Sequence, residues 1–462
     1  MKKLLLTLFS FLFTSAVNAA DVLVETPHDV AGHALPSPWM VLPFVLLLLM
    51  IATGPIFYKH FWEHHYPKIS ILLGIITAVY YAGVLGDTTS LLHTATEYIS
   101  FIALLASLFV ASGGILIKVD RKSTPLFNVA FLLTGSVLAN VIGTTGASML
   151  LIRPFIRMNK DRIKPYHIIF FIFSVSNIGG ALTPIGDPPL FLGFLRGVPF
   201  FWVIQNVWYI WVPALLFVLA IFYVIDSMNK GEAAQSDASF SGKIEFKGLK
   251  NIGYLFIIIV SVFIDPAVIS WVPSLAPLPF GIREIIMMSV VVLAYRTADQ
   301  EVLKANEFDF EPIKEVAYLF VGIFITMIPA LQLIAYEARV YSNILNQGTF
   351  YWATGSLSSF LDNAPTYLNF LSAAMGKYGL DVNVKSEVME FVVHDDVYLR
   401  AISVAAVFFG AMTYIGNGPN FMVKSISERA GIEMPSFFTY MVKYSIPVLL
   451  PVFFIIYLLF FR

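Results

Sequence analysis

A carboxylate lies at an unusual break in one of the most apolar stretches of the sequence. The segment SNIGGALTPIGDPP, residues 176–189, stands between the apolar runs HIIFFIFSV and LFLGFL, and it contains Asp187. Glycine permits a tight irregular turn and proline prevents a helix from closing over it, so the segment predicts unwound backbone inside a hydrophobic helix. Unwound backbone in a bilayer is tolerated where it is buried in protein or lines a polar cavity, and its free carbonyls and half-helix ends can coordinate an ion.

The same break occurs a second time in the chain. The segment GAMTYIGNGP, residues 410–419, matches GALTPIGDPP, residues 180–189, with glycine, alanine, threonine, isoleucine and proline at equivalent positions. Each copy follows an interrupted apolar run, and the interruptions TTGAS (144–148) and DNAPT (362–366) also correspond in order. The repeat predicts one binding site near the middle of a bilayer, where both breaks and both interruptions meet.

The chemistry expected of this site follows from its two carboxylates, Asp187 and Asp362. A carboxylate within a membrane is costly unless it binds a cation, takes a proton or meets a base. No lysine or arginine lies inside the four segments, so they offer no fixed positive charge for an anionic substrate. Hydroxyl and amide groups nearby could complete the oxygen shell of a hard cation. We therefore expect Asp187 and Asp362 to be sodium ligands that also take up protons.

The composition places the chain among multi-pass membrane proteins. Of its 462 residues, 58% are hydrophobic and 13% are charged, and the charges gather in short islands between long apolar runs. A soluble protein could not bury so much apolar surface, so the lipid bilayer is the expected partner. The formal net charge of -1 gives no indication of nucleic-acid binding, and the absence of cysteine excludes disulfides, thiolate metal sites and cysteine catalysis.

The N-terminal segment MKKLLLTLFSFLFTSAVNAA, residues 1–20, has a basic start, a short apolar core and small residues suited to cleavage. This pattern predicts a secretory signal peptide; the alternative is an uncleaved first span. Either reading puts the polar residues 21–38 outside the cytoplasm.

Apolar length predicts about 10 membrane spans plus two hairpins, at about 20 residues per span. The spans are expected at 39–58, 69–86, 98–118, 166–204 (broken), 206–226, 252–272, 281–296, 316–336, 399–421 (broken) and 436–460.

The two interrupted runs, 125–157 and 350–376, are interpreted as re-entrant helical hairpins. Basic residues flank the first run on both sides, at KVDRK and RPFIRMNKDRIK, so both of its ends should be cytoplasmic. The second run is followed by an acidic segment and should enter from the opposite face. The predicted fold is an all-α polytopic membrane protein with two inverted repeats, each containing a re-entrant helical hairpin and a broken transmembrane helix. The first repeat covers 39–226, a cytoplasmic linker 227–250, and the second repeat 251–462.

The motifs resemble the ion transporter superfamily of secondary carriers. SNIGG followed by TPIGDPP, the hairpin LDNAPT and the second TYIGNGPN carry this resemblance, which extends over nearly the whole chain after residue 39. The superfamily includes NhaD-type sodium/proton antiporters, arsenite carriers, and citrate and dicarboxylate carriers. The resemblance implies an elevator-like movement of a transport domain against a scaffold domain, a homodimer, and cation and substrate binding at the hairpin tips and broken-helix loops.

The site residues implied by the resemblance are polar side chains of the two tips and the two loops. They are Thr144, Thr145 and Ser148; Ser176, Asn177, Thr183 and Asp187; Asp362, Asn363 and Thr366; and Thr413, Asn417 and Asn420. Dicarboxylate carriers of the superfamily typically have Ser-Asn-Thr at both tips. This chain instead has Thr144-Thr145-Gly146 at the first tip and Asp362-Asn363-Ala364 at the second. The Asp-Asn pair and the Gly-Asp after Thr-Pro-Ile look more like the sodium/proton antiporters.

Simpler roles exist for both carboxylates. Asp187 precedes two prolines and could cap the helix that begins there, and Asp362 could be a turn residue at a hairpin tip. Other classes of protein fit less well: the sequence HDD at 394–396 falls in a predicted outside loop away from any catalytic motif, so an enzyme is not expected. A channel would use re-entrant loops too, but paired inverted broken helices favour alternating access.

The expected function is a secondary active transporter of a bacterial inner (plasma) membrane that exchanges sodium for protons and needs no cofactor beyond these ions. The alternative is a sodium- or proton-coupled symporter of citrate or another organic anion.

Overall fold

The computed structural model describes residues 35–119, 123–229, 244–266, 269, 271–275 and 278–462. The predicted signal peptide and most of the predicted linker 227–250 lie outside the described residues.

The described chain is almost entirely helical, with one two-stranded sheet. In the first half the helices are α1 Leu42–Phe57, α2 Lys59–Tyr80, α3 Thr88–Gly113, α4 Pro125–Met158, α5 Pro165–Ser174, α6 Pro188–Arg196 and α7 Trp202–Met228. In the second half they are α8 Lys250–Ser261, α9 Ile282–Thr297, α10 Gln300–Ala305, α11 Glu311–Val340, α12 Gln347–Ser358, α13 Asn363–Gly376, α14 Lys385–His394, α15 Asp396–Phe409, α16 Gly418–Arg429, α17 Phe437–Tyr440 and α18 Ile446–Phe460. Strand β1 (Leu116–Val119) pairs antiparallel with β2 (Ile244–Lys247).

Helix α4 is a hairpin that doubles back at Gly143. A straight helix of its 34 residues would be about 51 Å long, yet its ends meet: the Asn128 side-chain amide donates to Asn159 Oδ1 at 2.9 Å, and Asn159 returns the bond at 3.1 Å. The reversal occurs at Gly143, whose φ of 77° and ψ of 154° are accessible essentially only to glycine. The chain therefore forms a helical hairpin here, as the sequence predicts.

The second hairpin consists of α12 and α13, joined by a tight turn at residues 359–362. Its two ends also meet on one side of the bundle, where Lys377 Nζ, just after α13, donates to the carbonyl of Leu345, just before α12, at 2.7 Å. We call this side, which carries the acidic segment 381–396, the acidic face. The opposite side, which carries Arg153 and Arg157 at the end of α4, we call the basic face.

Both broken helices are present where the repeat predicts them. Helix α5 ends at Ser174, the backbone is irregular from there to Asp187, and α6 then continues. In the second repeat α15 ends at Phe409, and after a loop α16 begins at Gly418. Glycine and proline set the ends of these loops for the reasons given above, and the all-α fold with two repeats, hairpins and broken helices is confirmed.

Among the described residues, seven helices are long and apolar enough to cross a membrane, and one of the seven is α4, which doubles back as a hairpin, so six remain as single spans. This is fewer than the expected spans for two physical reasons: each broken helix divides a crossing into two short pieces, and α8 and α9 are shorter than a bilayer is thick. The observed helix boundaries also differ from the expected ones. Helix α2 begins at Lys59 and α3 at Thr88, each about ten residues before the expected span begins.

The helices pack into two groups. Helices α1, α2, α3, α8, α9 and α11 pack on one another, and we call them the frame. Helices α4 to α7, α12, α13 and α15 to α18 pack on one another and contain both hairpins and both breaks, and we call them the site unit. The frame contacts the site unit mainly through α11 against α13 and through α3 against α4 and α6.

Replacing Gly143 by alanine is expected to destabilise the protein by roughly 1–3 kcal/mol, because a side chain is forced into a glycine-only backbone conformation. The added Cβ would also lie 3.2 Å from the carbonyl oxygen of Ile185. Thermal unfolding of the purified protein measures the effect as a lower midpoint. Gly253→Ala in α8, where a Cβ meets nothing within 4 Å, is the matched control and should not lower the midpoint. Equal midpoints for the two variants would contradict the role given to Gly143.

Candidate functional site

The two broken-helix loops are held by the hairpins in the same way. In the first repeat the Thr183 hydroxyl donates to the carbonyl of Asn140 at 2.6 Å and accepts from Gly186 N at 3.0 Å. In the second repeat the Thr413 hydroxyl donates to the carbonyl of Ser359 at 2.6 Å and accepts from Gly416 N at 3.1 Å. The two repeats therefore build their loops from equivalent hydrogen bonds.

This equivalence corrects the predicted alignment of the hairpin tips by one residue. Because Asn140 corresponds to Ser359, Thr144 corresponds to Asn363 rather than to Asp362. Sequence matching of TTGAS with DNAPT missed the shift because the two tips share no identical residue that would fix their register.

Asp187 lies where the two tips and the second loop meet. Its carboxylate is 1% exposed. Oδ1 accepts from the Thr144 hydroxyl at 2.7 Å and from the Asn417 amide at 3.0 Å, and Oδ2 accepts from the Asn363 amide at 2.5 Å. The three donors are neutral and come from three different segments, so this one side chain joins both repeats.

The simpler reading of Asp187 as a helix cap does not hold. Asp187 occupies the N-cap position of α6, but its side chain makes no capping hydrogen bond. Its two oxygens accept hydrogen bonds from the three donors instead. Asp362 does cap a helix: its Oδ1 accepts from Ala364 N at 3.0 Å at the start of α13. Asp362 is half-buried.

Four half-helices begin around Asp187. The second arm of α4 begins after Gly143, α6 after Asp187, α13 after Asp362 and α16 after Asn417. Each helix N-terminus carries partial positive charge on free amide groups. The four ends together stabilise negative charge at this point, which explains how a carboxylate can be buried here among neutral donors.

An amide network connects the two loops behind Asp187. The Asn177 amide donates to Asn420 Oδ1 at 2.6 Å and to the carbonyl of Ile172 at 2.8 Å. The Asn420 amide donates to the carbonyls of Gly410 at 2.8 Å and Thr413 at 2.9 Å. Carbonyl groups freed by the helix breaks are thus satisfied by side-chain amides, as the low-dielectric surroundings require.

The other predicted site residues make no hydrogen bond to the Asp187 carboxylate among the described residues. The hydroxyls of Ser148 and Ser176 share a hydrogen bond at 2.7 Å, which ties the first hairpin to the first loop. The Thr366 hydroxyl donates to the carbonyl of Asp362, within its own hairpin, at 2.9 Å. Thr145 is half-buried at the first tip. Thr183 and Thr413 position the loops, as described above.

Sequence reasoning missed three side chains that shape the site. Asn140 Oδ1 accepts from Leu182 N at 2.8 Å. The Trp211 indole donates to the carbonyl of Ile178 at 2.7 Å, and the Tyr440 hydroxyl donates to that of Ala411 at 2.9 Å. Asn140 had a signal, since it is a polar residue one turn before the first tip. Trp211 and Tyr440 had no such signal, because their loop partners are not visible in the sequence.

Asn420→Leu is expected to cost about 1–3 kcal/mol, because two buried carbonyls lose a donor and one N–H of the Asn177 amide loses its acceptor. The readout is the midpoint of thermal unfolding. Asn369→Leu is the matched control: Asn369 is also buried, but its amide donates only within its own helix, to Pro365 O at 2.8 Å. A drop for Asn369→Leu as large as that for Asn420→Leu would show that the cross-repeat bonds contribute nothing special.

Comparison with known proteins agrees with this architecture. A family model described as "Putative citrate transport" matches residues 32–461, which include both repeats and the whole site. No curated protein matches the chain significantly. The chain therefore belongs to this citrate-transport family and is a multi-pass membrane transporter.

Proposed function

We propose that this transporter exchanges sodium ions for protons, and that the Asp187 carboxylate binds the two in turn. The observation that carries the proposal is the burial of Asp187 among the three neutral donors Thr144, Asn363 and Asn417. Hydrogen bonds and helix ends stabilise the carboxylate but do not neutralise its charge. A bound cation or a proton would do so, and one carboxylate cannot hold both ions tightly at once.

A free oxygen beside Asp187 supports cation binding. Asn363 donates its amide to Asp187, and its Oδ1 is buried without a hydrogen-bond partner among the described residues. A buried unpaired acceptor is costly unless something else satisfies it. Sodium is a hard cation that prefers such oxygens, so Asp187, Asn363 Oδ1 and the neighbouring Asp362 carboxylate form a suitable donor set.

The division into frame and site unit supports the elevator type of alternating access. Both tips and both loops belong to the site unit, so the ion site can move as one body against the frame. We further propose a homodimer in a bacterial inner membrane, oriented with its basic face towards the cytoplasm. This orientation follows from Arg153, Arg157, Lys160, Arg162 and Lys164 at the end of α4 and in the following loop.

Cation-coupled uptake of citrate or a similar organic anion is the second candidate. The family description favours it, and so does the convergence of four positive helix ends, which suits an anionic substrate as well as it suits Asp187. Asp187 and an anion repel each other, so sodium or a proton would have to bind first. This order would couple the anion to the cation.

The test is ion flux in proteoliposomes that hold a preset pH gradient. Sodium is expected to dissipate the gradient through the native protein, while Asp187→Asn keeps the side-chain shape but removes the charge and should abolish exchange. Asp362→Asn should raise the sodium concentration needed for half-maximal exchange, by about tenfold for each 1.4 kcal/mol of lost binding. Asp161→Asn, on an exposed loop, is the matched control and should exchange normally.

Citrate uptake is measured in parallel in the same vesicles. If sodium leaves the pH gradient unchanged but a sodium or proton gradient drives citrate inward, exchange is wrong and the second candidate is correct. If Asp187→Asn exchanges sodium at the native rate, the proposed role of this carboxylate is wrong in either case.

A further inference from the structure

A buried ion pair joins the far end of the site helix α6 to the frame. Arg196 is the last residue of α6 and is 3% exposed, and Glu97 lies on α3 and is 5% exposed. Arg196 Nη2 donates to Glu97 Oε2 at 2.7 Å, and Nε lies 2.5 Å from Oε1. Arg196 also donates to Asn383, in the loop after the second hairpin. The His93 ring lies 3.9 Å from Glu97 on the side near the acidic face.

The position of this pair links it to the site. Helix α6 has nine residues, so it spans about 13 Å between Asp187 at its start and Arg196 at its end. A helix this short transmits a displacement of one end to the other. An interaction that fixes Arg196 to the frame therefore also fixes the position of Asp187 relative to the frame.

The boundary around the pair is not closely packed. A cavity of about 20 Å³ lies between α3, α11 and the site unit, and its lining includes Thr94, Glu97, Leu331, Arg196 and Asn383. This volume is enough for a water molecule, and the polar lining suits one. Helix α11 against α13 forms the largest contact of the same boundary, and the Ser372 hydroxyl donates to the carbonyl of Leu331 across it at 2.9 Å. Separating such neutral groups costs less than separating a buried ion pair.

We propose that Arg196 is a positioning residue for transport, which fixes the site unit to the frame through Glu97 and must separate from it in each transport cycle. The proposal rests on the alternating access proposed above, but not on which ion or anion is carried. Glu97 and Arg196 neutralise each other while they are paired. Their separation requires that both charges be rehydrated, and this sets part of the barrier to movement.

The absence of cysteine from the sequence allows a direct test. The variant Glu97→Cys with Arg196→Cys is reconstituted and treated with a bifunctional methanethiosulfonate that bridges the two sulfurs. Bridging should lower flux at least tenfold, and a reductant should restore it. A cross-linked protein that transports at its untreated rate would overturn the proposal, because the two positions would not need to separate.

The control applies the same reagent within the frame. Tyr98 lies next to Glu97 on α3, and its hydroxyl donates to the carbonyl of Ala317 on α11 at 2.9 Å. Bridging Tyr98→Cys to Ala317→Cys should leave flux within twofold of its untreated value, since both helices belong to the frame. If the ion-pair variant does not fold, Thr94→Cys with Asn383→Cys replaces it, because these residues line the same cavity and leave the charges in place.

A second measurement does not depend on the transported species. The single variant Thr94→Cys is labelled with a membrane-impermeant thiol reagent, with and without neutralisation of the pair by Glu97→Gln and Arg196→Gln. Neutralisation should increase the labelling rate at least tenfold as the boundary opens. The same reporter with Arg283→Gln and Glu284→Gln, an ion pair buried within the frame, should label at the original rate.

These two measurements separate the proposals. If the native protein carries neither sodium nor citrate, the proposed function fails, whereas the labelling result still decides the role of the ion pair. If neutralisation leaves the labelling rate unchanged, the role given to Arg196 is wrong even if sodium exchange is demonstrated.

Discussion

The structure depends on the burial of one carboxylate, Asp187, in the interior of a membrane protein. Charge in such a place needs hydrogen-bond donors and favourable dipoles, and here they come from all four interrupted segments: Thr144, Asn363 and Asn417 donate, and four half-helices begin around the site. A continuous helix presents neither free amides nor a free end along its middle. The hairpins and the breaks are therefore the means by which the fold accommodates this charge.

Much of the fold could be predicted from sequence because its devices are local. Glycine, proline and the length of apolar runs predict the breaks, the hairpins and the repeat, since each of these features determines the backbone of its own segment. The ends of the spans could not be predicted as well. Helix α2 begins at Lys59, well before its apolar run, because a helix can continue into the polar interface, where hydropathy does not mark its end. Helix α8 shows the opposite error. It is shorter than the expected span 252–272, because the apolar run continues beyond the end of the helix at Ser261.

The site could be predicted as a set of segments but not as a set of contacts. The polar residues of tips and loops do converge, yet only three of them reach Asp187, and the tips align one residue away from the sequence match. Which hydroxyl donates and which merely closes a turn depends on rotations of packed helices. The ion pair between Glu97 and Arg196 lies beyond sequence reasoning altogether, because its members are far apart in the chain and neither belongs to a motif.

The two repeats are alike in backbone and different in charge, and this asymmetry leaves one carboxylate rather than two at the equivalent loop positions. Asp187 in the first loop corresponds to Asn417 in the second, and Asn420 corresponds to the apolar Leu190. Two aspartates at these equivalent positions would repel each other across a short distance of low dielectric. With asparagine in the second repeat, the partner becomes a donor at 3.0 Å, and the repulsion is replaced by a hydrogen bond. One loop thus supplies the charge while the other stabilises it, although the two loops are held by equivalent hydrogen bonds.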